Sequence, residues 1–263
     1  MDMLKKELAP LTDKAWDEIN DRAREALKTQ LSARKVLHVN GPKGWDYNVL
    51  TEGRLTNIED NGKGVNSGIY QVKPLTEARV VFELNRWELD NIERGAKDID
   101  LGPLEEAVSK IAEFEDNTVF NGLESSNIKG LKTEAVNKLQ LGQDSSEIIA
   151  NILEGKILLN NALAETPYSL IVGKDAWKII QTKTEGYPLH RRIEHLIDGE
   201  IIFSKVIDGA FLIPFDHADL ELTIGKDYAV GYENHDSKNV KLFITVSFTF
   251  RILDPEIIVS YSL

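Results

Sequence analysis

The first part of the chain begins with an amphipathic helical pattern. A cap at Thr12 and Asp13 precedes apolar residues that recur every three or four positions, namely Trp16, Ile19, Ala23, Leu27 and Leu31. This spacing puts the apolar residues on one face and predicts a helix that ends before Gly41 and Pro42.

A second pattern, in residues 82–122, is the one around which the rest of the chain is organised. Alternation over residues 82–89 predicts a strand that leads through a polar turn into a long helix ending at Gly122. The apolar stripe of this helix consists of Leu104, Ala107, Val108, Ile111, Ala112, Val119 and Phe120. Its acidic residues Glu105, Glu106, Glu113, Glu115 and Asp116 are too many for a core, so this spine helix is predicted to expose them to solvent.

Residues 45–84 predict a long β-hairpin. Two extended arms with sparse apolar residues flank the segment 59–68, whose Asn and Gly residues suit the positive φ angles of turns. Because an isolated two-stranded hairpin is marginally stable in water, this hairpin needs a surface to lie on. A neighbouring copy of the chain would provide one.

The remaining residues predict alternating helices and strands, followed by one long strand. Asp144 and Glu147 open a helix that Thr166 and Pro167 end. Strands at 168–172, 201–206 and 210–215 alternate with two further helices, which indicates an inserted α/β subdomain. Over residues 240–252 apolar and polar residues alternate, which predicts a half-buried strand packed on the spine helix.

Composition narrows the class of protein. With 263 residues and 42% hydrophobic content, the chain is long enough for one elaborated domain or two intertwined ones. The net charge of -12 argues against a protein that wraps nucleic acid, because phosphate binding needs concentrated Lys and Arg. The sequence has neither the run of roughly 18 apolar residues that a membrane span needs nor a secretory signal, so a cytoplasmic protein is predicted.

The sequence motifs of common catalytic and metal sites are missing. The absence of cysteine excludes thiolate nucleophiles and sulfur-ligated metals. The histidines are dispersed, and none follows a glutamate by three residues, as a di-iron site in a helix bundle would require. Neither HExxH, a phosphate loop ending in Gly-Lys-Ser/Thr, nor Gly-x-Ser-x-Gly occurs. The sequence therefore predicts no metal site and no enzymatic activity.

Several separated segments together resemble the encapsulins, the shell proteins of bacterial and archaeal nanocompartments. They are PLTDKAWDEINDRAREALKTQLSARK, GPKGWDY, RWELDNIERG, EFEDNTVFNG, IKGL and GYENHDSKNVKLFITVSFTF, and they span nearly the whole chain. The resemblance implies an α+β chain with the tailed-phage major capsid fold. It divides the chain into an N-terminal helix and arm (1–44), an extended-loop hairpin (45–81), a peripheral domain (82–135 and 223–263) and an axial domain (136–222).

The resemblance also implies what the protein does. Encapsulins assemble closed icosahedral shells, here expected to contain about 60 copies. They enclose a ferritin-like protein or a dye-decolourising peroxidase through a C-terminal targeting peptide, in iron storage or oxidative-stress defence. The shell itself needs no cofactor. Two alternatives stay open: a phage major capsid protein that encloses DNA, and an enzyme such as a protease or a flavoprotein.

In the family, cargo peptides dock against the N-terminal helix and the peripheral domain. The corresponding residues here are Leu27, Arg34, His38, Tyr228, Val230 and Tyr232. A groove beside Arg34 would suit an extended peptide with apolar anchors and a carboxylate or carbonyl partner. His38 stands where relatives tend to have an acid, which would make binding pH-sensitive. Alternatively, Leu27 and Val230 are ordinary core residues.

Two further sites follow from the resemblance. A pore at the fivefold axis would be lined by Glu185, Gly186, Tyr187, Pro188 and His190, unless the glycine and proline only end two helices. Trp87 and Arg79 match positions that are associated with a bound flavin in some encapsulins. An aromatic face and a cation would suit an isoalloxazine ring and a phosphate. The alternative for Trp87 is a half-buried strand position.

Overall fold

The computed structural model describes residues 3–60 and 62–263, apart from the side chains of Asn57, Asp60 and Glu185. Its α-helices are α1 (Asp13–Gln30), α2 (Arg86–Arg94), α3 (Gly102–Asn121), α4 (Leu131–Glu134), α5 (Ser145–Asn161), α6 (Lys174–Thr182) and α7 (Leu189–Ile197). Its strands are β1 (His38–Asn40), β2 (Val49–Asp60), β3 (Asn66–Pro74), β4 (Thr76–Asn85), β5 (Asn137–Gln140), β6 (Tyr168–Val172), β7 (Thr184–Glu185), β8 (Tyr187–Pro188), β9 (Ile201–Phe203), β10 (Ala210–Pro214), β11 (Leu220–Ile224), β12 (Ala229–His235), β13 (Asn239–Ile252) and β14 (Val259–Ser262).

Two five-stranded sheets carry most of the strands. In the first sheet the order is β1-β11-β13-β12, and β4 also pairs with β13, which is the longest strand. In the second sheet the order is β5-β14-β10-β6-β9. The hairpins β2-β3 and β7-β8 form separate two-stranded sheets. No helix in the described ranges is long and apolar enough to cross a membrane.

The long helix predicted after residue 100 is confirmed as α3, but the predicted strand is too long at its C-terminal end. Residues 86–89 belong to α2, because the Asn85 side chain accepts hydrogen bonds from the backbone N–H groups of Trp87 and Glu88 and so caps a helix there. Gly95 ends α2 in a left-handed conformation with φ 87°. A short helix therefore separates the strand from the spine.

The prediction that the acidic residues of α3 all face solvent is wrong for Glu115 and Asp116. Their exposed fractions are 0% and 2%. Glu115 pairs with Arg34, and Asp116 accepts hydrogen bonds from Ser32 and Ala33, all from the segment that follows α1. A buried carboxylate is tolerated where it is paired with a cation or hydrogen-bonded; Glu115 is paired with Arg34, and Asp116 is hydrogen-bonded.

The hairpin is confirmed, although its second arm is shorter than predicted. β2 and β3 pair with each other, whereas β4 leaves the hairpin after Pro74 and pairs with β13 from Asn85↔Asn239 to Thr76↔Phe248. Phe82 and Leu84 of β4 are buried in the main core. These two side chains of β4 thus join the core, while Leu55, Ile58, Ile69, Tyr70 and Val72 of β2 and β3 stay exposed.

One face of the β2-β3 hairpin carries a continuous set of exposed apolar side chains. Leu55 lies opposite Tyr70 in the register, Val72 is two residues beyond Tyr70, and a Cβ at Gly68 would contact both Leu55 and Ile58. Leu55, Ile58, Tyr70 and Val72 therefore share a face, which we call the hairpin face. Ile58 and Tyr70 are 67% and 74% exposed in the single chain.

The inserted helices and strands are confirmed at 145–161, 168–172, 174–182, 189–197, 201–203 and 210–214, although the strand predicted over 201–206 already ends at Phe203. The strand predicted over residues 240–252 is also confirmed, as β13. It packs on α3 through Phe248 and Phe114, whose ring centroids are 6.2 Å apart. It is not half-buried, however. Thr245 and Thr249, on its predicted polar face, are fully buried, and the Thr245 hydroxyl donates to the Ala78 carbonyl at 2.9 Å.

Candidate functional site

A groove of about 670 Å³ runs between α1 and the start of β12. Its apolar lining consists of Ala23, Leu27, Leu31, Ala229, Val230 and Ile244. Its polar lining consists of Lys6, Asp17, Asn20, Asp21, Arg24, Lys28, Arg34, Lys35, Asp227 and Tyr228. An apolar floor with charged sides is the usual chemistry of a site for an extended or helical peptide.

The structure brings Leu27, Arg34, Tyr228 and Val230 together in this groove. Leu27 is half-buried and Val230 is buried, so each packs on the core and also faces the groove. His38 and Tyr232 are not among the lining residues. Four of the six residues predicted to bind a cargo peptide therefore line one groove.

His38 and Tyr232 have other partners. His38 lies on β1, which pairs with β11, and its ring nitrogen Nδ1 is 2.9 Å from Asp216 Oδ1. Tyr232 is buried, and its hydroxyl is 2.5 Å from His235 Nδ1. A direct effect of His38 protonation on a peptide in the groove has no geometric support in a single chain.

Arg34 is held by a network of hydrogen bonds at one wall of the groove. Its Nε and one terminal nitrogen donate to the two oxygens of Glu115 at 2.7 Å, and the other terminal nitrogen donates to Asp227 Oδ1 at 2.7 Å. Its guanidinium carbon lies 4.7 Å from the centroid of the Tyr228 ring, and the Tyr228 hydroxyl donates to Glu115 at 3.0 Å. Arg34 therefore binds two carboxylates of its own chain rather than offering its charge to a ligand.

Burial and charge shift the pKa values in this network. Burial works against the charged form of Arg34, but the hydrogen bonds and charge of Glu115 outweigh it and raise the pKa of Arg34. Burial, and then the nearby negative charge of Glu115, raise the pKa of the Tyr228 hydroxyl well above its ordinary value. Arg34 stays a cation and Tyr228 stays a hydrogen-bond donor throughout the physiological pH range.

Asp116 holds the segment that leads into Arg34. Its carboxylate accepts hydrogen bonds from the backbone N–H groups of Ser32 at 2.9 Å and Ala33 at 3.0 Å, and from the Ser32 hydroxyl at 2.6 Å. That hydroxyl oxygen is also 2.9 Å from the hydroxyl of Ser204. Burial raises the pKa of Asp116 to about 6 against the effect of these bonds, and the neighbouring charge of Glu115 contributes in the same direction.

We expect Asp116 to make stability depend on pH between about 4 and 6. Because its pKa is raised on folding, its protonation stabilises the folded state fully below the ordinary pKa of 3.8, and this contribution is lost as pH rises through about 6. A shift of two pKa units corresponds to about 3 kcal/mol. Relative to Asp116→Asn, the wild-type free energy of unfolding should therefore rise by about that amount from pH 7 to pH 4.

Denaturant titrations of both proteins at several pH values measure this difference. The contributions of acids that do not interact with Asp116 cancel in this comparison. A difference that stays constant from pH 4 to pH 7 would show that the Asp116 carboxyl does not change its protonation in this range.

The predicted pore segment forms the tip of a small hairpin. Thr184 pairs with Pro188, Glu185 pairs with Tyr187, and Gly186 makes the turn with φ +76°. Tyr187 is exposed, and His190 lies in the first turn of α7 with its Nδ1 buried and unpaired among the described atoms. The side chain of Glu185 lies outside the described part of the chain. The glycine and proline thus lie in a small hairpin between the two helices, besides separating them.

The structure does not bring Trp87 and Arg79 into one site. Trp87 is an exposed residue of α2, not a half-buried strand residue, and its cleft is lined on one side by Glu83, Glu88 and Asp100. Arg79 instead pairs with Glu77 at 3.0 Å and lies 4.1 Å from the centroid of the Phe243 ring. Acidic side chains oppose a phosphate, so within one chain these residues do not fit a flavin nucleotide.

Comparisons with known proteins agree with the geometry. Residues 1–249 match the family model Linocin_M18, described as an encapsulating protein for peroxidase. The chain is 36% identical to the type 1 encapsulin shell protein of Mycobacterium tuberculosis over 264 residues, which is 100% of both chains. It is 37% identical to that of Rhodospirillum rubrum over 265 residues, covering 97% of this chain and 95% of the relative.

Solved structures identify the fold. A virus-like particle from Pyrococcus furiosus matches with a TM-score of 0.70 at 17% identity, covering 94% of this chain and 99% of the other. The capsid of Myoviridae phage XM1 matches with a TM-score of 0.59 at 10% identity, covering 88% and 90%. The predicted tailed-phage major capsid fold is thereby confirmed.

Proposed function

The chain belongs to the Linocin_M18 family of encapsulating shell proteins, and from this premise we propose that it builds a closed icosahedral shell that encloses a cargo enzyme. The chain is a shell protein with a capsid-like fold that acts in many copies. In more detail, we propose a shell of about 60 copies in the cytoplasm. The cargo enzyme would bind in the groove beside α1 through its C-terminal peptide.

The hairpin face is the observation that carries the proposal. A single chain leaves Leu55, Ile58, Tyr70 and Val72 uncovered on a two-stranded hairpin that has no core of its own. An exposed apolar surface of this kind marks a protein–protein interface. Repetition of one interface around symmetry axes closes a shell. The groove beside α1 supports the cargo part of the proposal, because it is partly apolar and still open in the single chain.

The proposed cargo is a ferritin-like protein or a dye-decolourising peroxidase, and the proposed role is iron storage or oxidative-stress defence. The family description names a peroxidase, which supports the second cargo class. The projecting turn around Gly186 is proposed to line a pore where axial domains, residues 136–222, meet around the fivefold axis. Its exposed position at the tip of a hairpin supports this role.

Electron microscopy of the purified protein, with mass spectrometry of the proteins that co-purify, tests the function. We expect closed particles of uniform size that contain one enriched redox enzyme. A chain that remains a monomer at every concentration contradicts the shell, and empty particles from the native host contradict the enclosed cargo.

We expect Leu27→Gln to reduce cargo loading about tenfold without preventing assembly. Leu27 is an apolar lining residue of the groove, and an apolar anchor is among the minority of contacts whose loss costs more than about 1 kcal/mol. The measurement is the ratio of cargo to shell protein in purified particles. Thr29→Gln is the matched control, because Thr29 is exposed on the same helix and does not line the groove. Equal cargo loading in both variants would show that the groove is not the cargo-binding site.

A phage major capsid protein that encloses DNA is the second candidate, because the phage XM1 capsid has the same fold. That likeness is at 10% identity and concerns the fold alone. The net charge of -12 also opposes the packing of DNA. Nuclease-resistant DNA inside purified particles would favour this candidate over the compartment.

A further inference from the structure

A cavity of about 430 Å³ lies at one edge of the second sheet. Its apolar lining consists of Pro167, Tyr168, Ile202 and Phe215, and its two charged lining residues are Lys35 and Glu200. All of these except Lys35 belong to the axial domain, so we call this space the axial cavity. It is distinct from the groove beside α1, which no residue of the axial domain lines.

Main-chain pairing fixes the walls of the axial cavity. β6 and β9 run parallel and therefore begin at the same edge of the sheet, where the antiparallel β10 ends. Just beyond β10, the Phe215 N–H donates to the Pro167 carbonyl at 2.9 Å, and the Asp216 N–H donates to the Val36 carbonyl at 2.9 Å. The second bond ties this edge to the segment that follows α1, which carries Lys35.

The inside of the axial cavity suits an apolar side chain. Tyr168 is buried, and its hydroxyl already donates to the Ala164 carbonyl at 2.7 Å. Phe215 is 49% exposed in the single chain although it lines this apolar space. The volume falls in the lower part of the range of about 300–1,000 Å³ that is usual for ligand sites. An apolar side chain from a bound partner would fill the space and remove Phe215 from water.

Lys35 joins the axial cavity to the groove beside α1, because it lines both. Its side chain is exposed and has no ion-pair partner among the described residues. The neighbouring Arg34, by contrast, donates to Glu115 and Asp227 of its own chain. A segment that leaves the groove past Lys35 therefore reaches the axial cavity directly.

The charges at the mouth of the axial cavity favour a peptide over a small ion. Lys35 supplies a cation and Glu200 an anion, and in the described part of the chain the two form no ion pair with each other. A ligand with a single charge would be attracted by one of them and repelled by the other. A peptide backbone has carbonyl acceptors for Lys35 and N–H donors for Glu200, so it suits both.

We propose that the axial cavity is a second subsite for the cargo targeting segment. The segment crosses Lys35 from the groove and places one apolar side chain in the axial cavity, against Phe215. The inference rests on the proposed function, because it takes the cargo segment as the occupant. A cargo segment would accordingly carry two separate apolar anchors, one for the groove and one for the axial domain.

A pair of phenylalanine variants of the shell tests the subsite. The probe is a fluorescent protein that carries the C-terminal segment of the protein found inside purified shells, co-expressed with the shell at a level below saturation. We expect Phe215→Ser shells to hold about tenfold less probe than wild-type shells. Phe203→Ser is the matched control, because Phe203 is 38% exposed in the same domain and does not line the axial cavity. Its shells should load the probe as the wild type does.

A pair of lysine variants tests the crossing point without touching the core. Lys28 and Lys35 are both exposed and both line the groove, but only Lys35 also lines the axial cavity. We expect Lys35→Gln to lower loading about threefold relative to Lys28→Gln, because only Lys35 would bind the backbone at the crossing.

An alanine scan of the probe segment shows whether the two anchors are separate. Residues that contact each other have non-additive effects. We expect one apolar position of the segment whose replacement lowers loading in wild-type shells but has no further effect in Phe215→Ser shells. A different position should have the same relation to Leu27→Gln.

The outcomes separate this inference from the proposed function. Equal loading by the two phenylalanine variants, or the same silent position with Leu27→Gln and Phe215→Ser, overturns the second subsite and leaves binding in the groove intact. Phe215→Ser chains that fold by circular dichroism but form no shells would identify the axial cavity as a contact between copies and also overturn it. If Phe215→Ser does not fold, equal loading by the two lysine variants overturns the inference. An unaltered probe that does not enter wild-type shells overturns the proposed cargo function itself.

Discussion

Ile58→Asp combined with Tyr70→Asp is expected to leave the chain folded but to abolish closed shells. Both side chains lie on the hairpin face and are largely exposed in the single chain, so their replacement removes no core contact. In an assembled shell the same side chains are expected to be buried against a neighbouring copy. Two unpaired carboxylates in such a contact cost several kcal/mol at each interface, and every copy repeats that cost.

Size-exclusion chromatography and electron microscopy measure the change in assembly, and circular dichroism checks the fold. Thr56→Asp with Ser67→Asp is the matched control, because these residues lie on the same strands and the register puts them on the opposite face. The control adds the same charge to the same hairpin. If the hairpin face carries assembly, only the first variant should elute as small species. Shells of normal size from the first variant would show that the hairpin face is not an interface.

The elements whose apolar residues follow a single period could be predicted from the sequence. The stripe of α1, the opening of α5 at Asp144 and the turn-rich tip of the β2-β3 hairpin each combine a period with a local signal such as a cap or a glycine. These signals act within a few residues and do not depend on tertiary context. The same holds for the long β13, although the burial of its polar face depends on strands and side chains from elsewhere in the chain.

The acidic residues of α3 show where such prediction stops. Glu115 continues the apolar stripe from Val108 and Ile111 towards Val119, and Asp116 does so from Ala112 towards Phe120. Their position on the stripe was a signal of burial, but their charge argued against it. Only the fold reveals that Arg34 and the backbone at Ser32 lie opposite them, because these partners are more than 80 residues away in sequence. Charge excludes a residue from a core only when no distant partner is available.

The groove itself could not be found from periodicity. Leu27 and Val230 each fit the pattern of a core residue, and their common exposure to the groove depends on how α1 crosses the edge of a sheet. Family resemblance supplied four of the lining residues, Leu27, Arg34, Tyr228 and Val230, but it also suggested a ligand contact for Arg34 and a groove position for His38. The side-chain network around Glu115 and the pairing of His38 with Asp216 give both residues other partners.

Arg34→Ala is expected to lower the free energy of unfolding by about 3–5 kcal/mol. The change removes the cation from Glu115, whose side chain is 0% exposed, and leaves a buried acid without its partner. The hydrogen bonds of Asp227 and the stacking on Tyr228 are lost at the same time. Denaturant titrations of the variant and the wild type, in the same assembly state and at equal protein concentration, measure the loss.

The chain contains a close control for this effect. Arg22 and Glu105 join the same two parts of the structure, α1 with its following segment and α3, at the same N–O distance of 2.7 Å, but they are 34% and 47% exposed. Because water screens an exposed pair, Arg22→Ala should cost less than about 1 kcal/mol. A third variant, Arg34→Met with Glu115→Met, removes both charges and should recover part of the loss, since an unpaired buried carboxylate causes most of it. Equal losses from Arg34→Ala and Arg22→Ala would mean that burial does not set the strength of these pairs. In that case the Arg34–Glu115 pair would not be what holds the groove wall in place.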